Sequence, residues 1–167
     1  MKKASKTKKG KCLVAIRIRG IPSVKSELEI TLVSLRLTKK FRAAILYDRP
    51  EITGMLAKIK DIVTWGEASK ETLSLLLKER AQTIGGKNLT NSFVKQKFEL
   101  ATINRLASAI DKGELPLGKL WKGGLNPNFR LHPPRGGFKG KTKIAFKQGG
   151  ELGYRGEAIH DLIARMV

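Results

Sequence analysis

Three features of the sequence predict an α+β fold. Short apolar runs at 13–18, 43–47 and 62–65 have strand length, and the stretches between them carry apolar residues at helical spacing. Residues 69–113 show helical periodicity alone. Beyond Gly113 the chain turns to glycine, proline and lysine, and helical spacing returns only in the last eleven residues. The reading is a β-α-β-α-β core with a small three-stranded sheet over 11–68 and a helical lobe over 69–113. A basic Gly/Pro-rich extension (114–156) and a C-terminal helix (157–167), expected to dock on the core, complete it.

The elements follow in order. Leu13, Ala15 and Arg17 alternate with Val14, Ile16 and Ile18, the period-two pattern of a strand with two faces. Cys12 stands at its start as a small hydrophobe. Gly20 and Pro22 break the strand. Ser23 is placed to cap a helix whose inner face is Val24, Leu28, Thr31, Leu32 and Leu35. Thr38, Lys39, Lys40 and Arg42 crowd the next turn around Phe41. The run 43–47 ends at Asp48, and Pro50 suits the first turn of a second helix with Met55, Leu56 and Ile59 inward. Ile62, Val63 and Trp65 make the third strand, closed by Gly66.

Ser69 is a helix cap, and Leu73, Leu76, Leu77 and Arg80 line one side of the helix it opens. Gly85-Gly86 ends that helix, and the polar connector 87–91 leads to a further helix of about twenty residues. Phe93, Leu100, Ile103, Leu106, Ala107 and Ile110 give that helix its apolar stripe. Ile159, Leu162, Ile163 and Met166 repeat at helical spacing near the C-terminus.

Charge narrows the function. The 34 Lys and Arg face only 14 Asp and Glu, a formal net charge of +20. Such self-repulsion is tolerated best where a polyanion supplies countercharge, and nucleic acid is the commonest one. No run approaches the ~18 apolar residues of a membrane span. The charged N-terminus lacks the apolar segment of a secretory signal. A single cysteine, Cys12, allows no internal disulfide, and no Cys/His cluster has zinc spacing, which fits a reducing cytoplasmic compartment.

Two stretches concentrate the charge. The first eleven residues hold six lysines and no acid, so residues 1–10 read as a basic flexible tail that orders on phosphates. From Leu115 to Gly150 there are eight Lys or Arg and no acid, with Trp121, Phe129, Phe138 and Phe146 interleaved. Glycine lets backbone approach a partner closely, and aromatics stack or pack, so this extension reads as RNA-binding. The candidate phosphate contacts are Lys39, Lys40 and Arg42 in the turn, with Arg36 on the helix beside them. Arg130, Arg135, Lys139, Lys141 and Lys143 are the candidates in the extension. Arg17 and Arg19 read equally as RNA contacts or as solvated charges.

Catalytic chemistry is not indicated. Residues 136–142, GGFKGKT, resemble a phosphate-binding loop, but the required first glycine falls on Arg135. Pro133-Pro134 precede it and a β-like run follows, where a strand and a helix are needed. His132 and His160 have no nucleophile or second histidine at useful spacing, and the acids are scattered. No catalytic, metal, cofactor or small-molecule site is expected.

Two motif blocks carry a resemblance. Leu35-Arg36-Leu37 with Lys39, Pro50, Gly54-Met55-Leu56, Lys58-Ile59-Lys60-Asp61 and Trp65-Gly66 form the first. Leu131-His132-Pro133-Pro134-Arg135-Gly136-Gly137 form the second. Over residues 11–167 the chain resembles the ribosomal protein L-thirty family, in its longer, archaeal-type branch. The resemblance implies a ferredoxin-like three-stranded core and a structural, non-enzymatic role in the cytoplasmic ribosome. Implied partners are large-subunit rRNA, the smaller five-S RNA and neighbouring ribosomal proteins. Bacterial members lack the lobe and extension, so roles for 69–167 rest on the longer branch. A non-ribosomal RNA chaperone or chromatin protein would also explain the charge, but not the two ordered motif blocks.

Overall fold

The computed structural model describes residues 11–20 and 25–167; the lysine-rich tail 1–10, Ser23 and Val24 lie outside them. The strands are β1 (Cys12–Arg17), β2 (Arg42–Tyr47), β3 (Val63–Glu67), β4 (Phe129–Arg130), β5 (Lys141–Ala145) and β6 (Gly150–Tyr154). The helices are α1 (Ser26–Ser34), α2 (Pro50–Lys58), α3 (Lys70–Arg80), α4 (Asn91–Phe98), α5 (Ile103–Asp111), α6 (Leu117–Lys122) and α7 (Ile159–Met166). The α+β class holds, but the sheet has six strands, not three, in the order β4-β2-β1-β3-β6-β5. β1 is antiparallel to both β2 and β3, and these make the expected central three. The Gly-rich extension supplies the rest: β4 adds antiparallel to β2, while β6 lies parallel to β3 and β5 parallel to β6.

The alternation in β1 separates two cores. Leu13 and Ala15 join Leu32, Leu35, Leu37, Leu56 and Ile59, so α1 and α2 cover one face. Val14 and Ile16 join Leu73, Leu76 and Leu77 of α3, Leu106 and Ile110 of α5, and Ile159, Leu162 and Ile163 of α7 on the other. A strand apolar on both faces needs cover on both, and the helices after residue 69 provide the second layer.

Local chemistry sets several boundaries. The Ser69 hydroxyl accepts from the Thr72 N–H at the start of α3, and Pro50 occupies the first turn of α2. The single long helix expected after the 87–91 connector is two helices. Glu99 is left-handed (φ 58°) at the end of α4, and the Thr102 hydroxyl then caps α5 by accepting from the Arg105 N–H. α3 stops at Arg80, ahead of Gly85-Gly86, because Gln82 and Thr83 bridge to Asn88 and Leu125. Gly66 does not close β3, which continues to Glu67. A Cβ there would lie 2.0 Å from the Gly156 carbonyl oxygen, so the glycine admits the turn that leads into α7.

Cys12 and Tyr47 are neutral groups facing the larger core. Burial pushes the Cys12 thiol up to about 12. The Tyr47 hydroxyl donates towards the carbonyls of Leu115 (2.6 Å) and Ile110 (3.2 Å), and burial raises it to about 12 as well. Both folded values lie above the unfolded ones, roughly 8.5 for a thiol and 10 for a phenol. The folded chain therefore holds more protons, and their contribution is complete below the unfolded values and lost as pH rises through the folded ones. Urea midpoints followed by circular dichroism should fall from about pH 8.5 upward. In Cys12→Val the part of that fall below about pH 10 should disappear; an unchanged profile would contradict the assignment.

A candidate nucleic-acid interface at one end of the sheet

β1 ends where β2, β3, β5 and β6 begin. Ile16 pairs with Ala43 and Arg17 with Val63. Thr64 lies beside Gly153, and Gly150 beside Lys141. The turn before β2, the end of β4 and the chain entering β5 therefore share this end of the sheet. Turn and extension, remote in sequence, meet here. Arg42 is the register partner of Arg130, and the Leu131 N–H donates to the Phe41 carbonyl at 3.0 Å. The Phe41 and Phe138 rings stack with centroids 6.3 Å apart.

Arg17 shapes the turn. Its guanidinium is fully buried and makes a two-pronged ion pair with Glu29, both contacts at 3.1 Å. It also donates to the carbonyls of Leu37 (2.9 Å), Thr38 (3.0 Å) and Arg19 (2.9 Å), while its own carbonyl accepts from the Phe41 N–H. This corrects both readings of Arg17, as an RNA contact and as a solvated charge: a side chain with no exposed surface and its donors occupied meets neither phosphate nor water. It positions those that can. The turn it holds is bent, with Arg36 (φ 63°) and Phe41 (φ 60°) both left-handed. Such backbone is costly for non-glycine residues and persists where surroundings over-determine it.

The other candidates are placed as follows. Arg36, Lys39 and Lys40 lie around the turn and are all exposed, with the Lys40 ammonium 4.7 Å from the Phe41 ring centroid. Arg36 lies beyond the end of α1 rather than on it. Arg42 is partly buried, and burial together with Arg130 holds its guanidinium below the usual arginine range. Arg130 and Arg135 are exposed along the segment that crosses this end of the sheet, and Lys139 is exposed just beyond it. The last turn of α7 secures that segment: the N–H groups of His132 and Arg135 donate to the Met166 and Arg165 carbonyls, and the Arg165 guanidinium to that of Gly137. Lys141 and Lys143 are exposed on β5 at the far edge from Arg130. Arg19 donates to the Asp61 carbonyl at 3.2 Å and remains partly accessible.

Sequence reasoning missed a second internal arginine. Arg155 is buried and paired with Glu151, and it donates to the Thr64 hydroxyl at 2.9 Å. The other Glu151 oxygen accepts from the Gly140 N–H at 2.8 Å. This ion pair thus joins β6 to β3 and ties down the start of β5. The only clue in the sequence is the i,i+4 spacing of Glu151 and Arg155. Residues 136–142 lead into β5 rather than a helix, and Gly140 donates to a carboxylate instead of a phosphate. Among the described residues, no group of three or more His, Cys, Asp or Glu is placed to hold a metal ion.

Removing Arg17 would strand the Glu29 carboxylate and the carbonyls of Leu37, Thr38 and Arg19. Arg17→Met is expected to cost about 3 kcal/mol in urea unfolding, whereas Lys39→Ala and Lys40→Ala should stay within roughly 0.5 kcal/mol of the parent. Equal midpoints for all three variants would show that Arg17 does not hold the turn.

Known proteins supply the remaining comparison. Residues 13–63 match the family described as Ribosomal protein L30p/L7e. The protein named large ribosomal subunit protein uL30 from Staphylothermus marinus is 48% identical over 157 residues, covering 91% of this chain and 96% of its own. Its namesake from Hyperthermus butylicus is 46% identical over 174 residues, with 99% and 96% covered. That from Ignicoccus hospitalis is 43% identical over 159 residues, with 94% and 98% covered. Matches this close cover at least nine-tenths of this chain and of each relative: the chain belongs to the Ribosomal protein L30p/L7e family.

Proposed function

We propose that this chain is a structural, non-enzymatic constituent of the large subunit of the cytoplasmic ribosome, where it binds and stabilises rRNA. Its relatives carry the name of a large-subunit protein. The observation that carries the RNA reading is the meeting of two remote basic segments at one end of the sheet, with Arg42 and Arg130 as register partners. Neighbouring like charges on adjacent strands are unfavourable by themselves. A polyanion laid across them turns that cost into attraction.

In this reading Lys39, Lys40 and Arg42 grip phosphates at the turn, with Arg36 beside them. Arg130, Arg135 and Lys139 continue the track along the crossing segment, and Lys141 and Lys143 extend it to the far edge strand. Arg19 contributes from the end of β1. Pro133 to Gly137 shape the backbone and do not read bases. The five-S rRNA is included among the partners on the strength of the family resemblance. The division into core (11–68), helical lobe (69–113), extension (114–156) and terminal helix (157–167) belongs to the same reading. In it the lobe and terminal helix back the sheet while the extension carries the RNA contacts.

Sedimentation of a native extract, before and after a salt wash, tests the assignment. Co-migration with large subunits that survives roughly half-molar salt is expected, since non-specific phosphate binding is screened away there. Spreading over all nucleic acid would overturn it in favour of a general RNA or DNA binder. With a purified large-subunit rRNA fragment, the double variant Lys39→Ala/Lys40→Ala should reduce the slope of log affinity against log salt by about 2. An unchanged slope would take the turn out of the interface.

A further inference from the structure

The groove between α2 and the β3–β6 pair, on the sheet face that α1 and α2 cover, is not used by the interface above. It holds about 430 Å³, within the range of small-ligand sites, and Lys60, Asp61, Trp65, Phe146, Lys147 and Tyr154 line it. Trp65 and Tyr154 are register partners on β3 and β6. Their ring centroids are 6.4 Å apart and tilted by 53°, so the rings splay and do not cover one another. Tyr154 keeps 45% of its surface exposed, a large aromatic left wet beside a half-buried indole. Phe146 has one side covered by the Arg155 guanidinium, 4.7 Å from its centroid, and contributes to the groove lining. Arg155 is fixed by Glu151 and Thr64, so that wall is preformed.

The charges around these rings indicate the occupant. Two exposed lysines, Lys60 and Lys147, flank the groove from α2's end and from the turn after β5. One acid, Asp61, shares the lining. Lys60 and Asp61 closely precede β3, at the end of the sheet where the cationic turn and extension meet. A polyanion held at that end therefore has a direct path into the groove. Flat apolar faces suit a planar ring, the lysines suit flanking phosphates, and a carboxylate accepts from an exocyclic amino group. An apolar peptide would leave both ammonium groups without a partner.

We propose that the Trp65–Tyr154 groove binds one unpaired nucleobase of an RNA strand. The base stacks on the exposed Tyr154 ring with its edge against Trp65, its neighbouring phosphates lie against Lys60 and Lys147, and Asp61 favours bases bearing an amino group. The proposal rests on the RNA-binding reading above and adds to it a contact that needs a single-stranded or bulged nucleotide. A duplex buries its bases against each other and cannot offer one.

The test uses the full chain with Trp121→Phe, so that Trp65 is the sole indole, and a twelve-nucleotide oligoadenylate as probe. Filter binding reports the affinity and fluorescence reports the stack. Quenching of Trp65 emission that saturates with binding is expected. Tyr154→Ala should weaken binding roughly tenfold, the size of one base–aromatic stack, and diminish the quench, while Tyr154→Phe should preserve both. Lys39→Ala/Lys40→Ala should weaken binding yet leave the quench at saturation intact. Binding with no quench, or with Tyr154→Ala indistinguishable from the parent, overturns the nucleobase site and leaves the phosphate-binding reading standing. No binding to this probe or to an rRNA fragment would overturn both.

Discussion

The cationic end of this molecule depends on one buried guanidinium. Arg17 closes β1, pairs with Glu29 in the first turns of α1, and collects the carbonyls of Leu37, Thr38 and Arg19. A charge this deep is tolerated only when its donors are matched, and truncating one partner costs far more than the pair contributes in net stability. The return for the fold is shape. Carbonyls that would otherwise point into water are drawn inward, and the turn between α1 and β2 is bent through two left-handed residues, Arg36 and Phe41. Lys39 and Lys40 are then displayed outward by backbone that has little freedom to rearrange.

The topology decides what else gathers there. A strand antiparallel to β1 begins where β1 ends, and β5 and β6, running with β3, begin there too. The turn before β2 is basic and the chain entering β5 is basic and glycine-rich, so cations remote in sequence converge there. The C-terminal turn of α7 adds backbone acceptors and Arg165 to pin the crossing segment. Glu151 and Arg155 secure the opposite half of the sheet in the way that Arg17 and Glu29 secure the first. The exposed charges thus rest on two buried arginines and their carboxylate partners, Arg17 at the end of β1 and Arg155 just after β6.

The central strands and most helices were legible because their signals are local. Period-two alternation in residues 13–18 identified both faces of β1, and Pro50 and Ser69 marked two helix starts. Of the extra strands only β5 showed, as the β-like run after the 136–142 loop; β4 and β6 did not. Phe129-Arg130 is too short to carry a period, and Gly150–Tyr154 contains two glycines and a glutamate. Their extended form comes from the neighbours they pair with. The break at Glu99 was missed because a left-handed glutamate has no sequence signature, whereas the capping by Thr102 did have one. Among the candidate contacts, exposure of the lysines followed from charge alone. Burial of Arg17 did not, since its alternation with Leu13 and Ala15 shows which face it shares and not that Glu29 waits above it.

The class of fold, the excess of positive charge, the two basic segments and the family can all be read from the order of the amino acids. These depend on composition, short-range periodicity and ordered motifs, all of which survive without knowledge of contacts. Folding brings the basic turn and the extension to one end of the sheet, completes six strands, and sets Trp65 and Tyr154 side by side above an open groove. Those outcomes depend on pairing between residues as far apart as Thr64 and Gly153. Such pairing is selected by the packing of the whole chain, because a glycine-rich segment has no intrinsic conformation strong enough to choose its own partner.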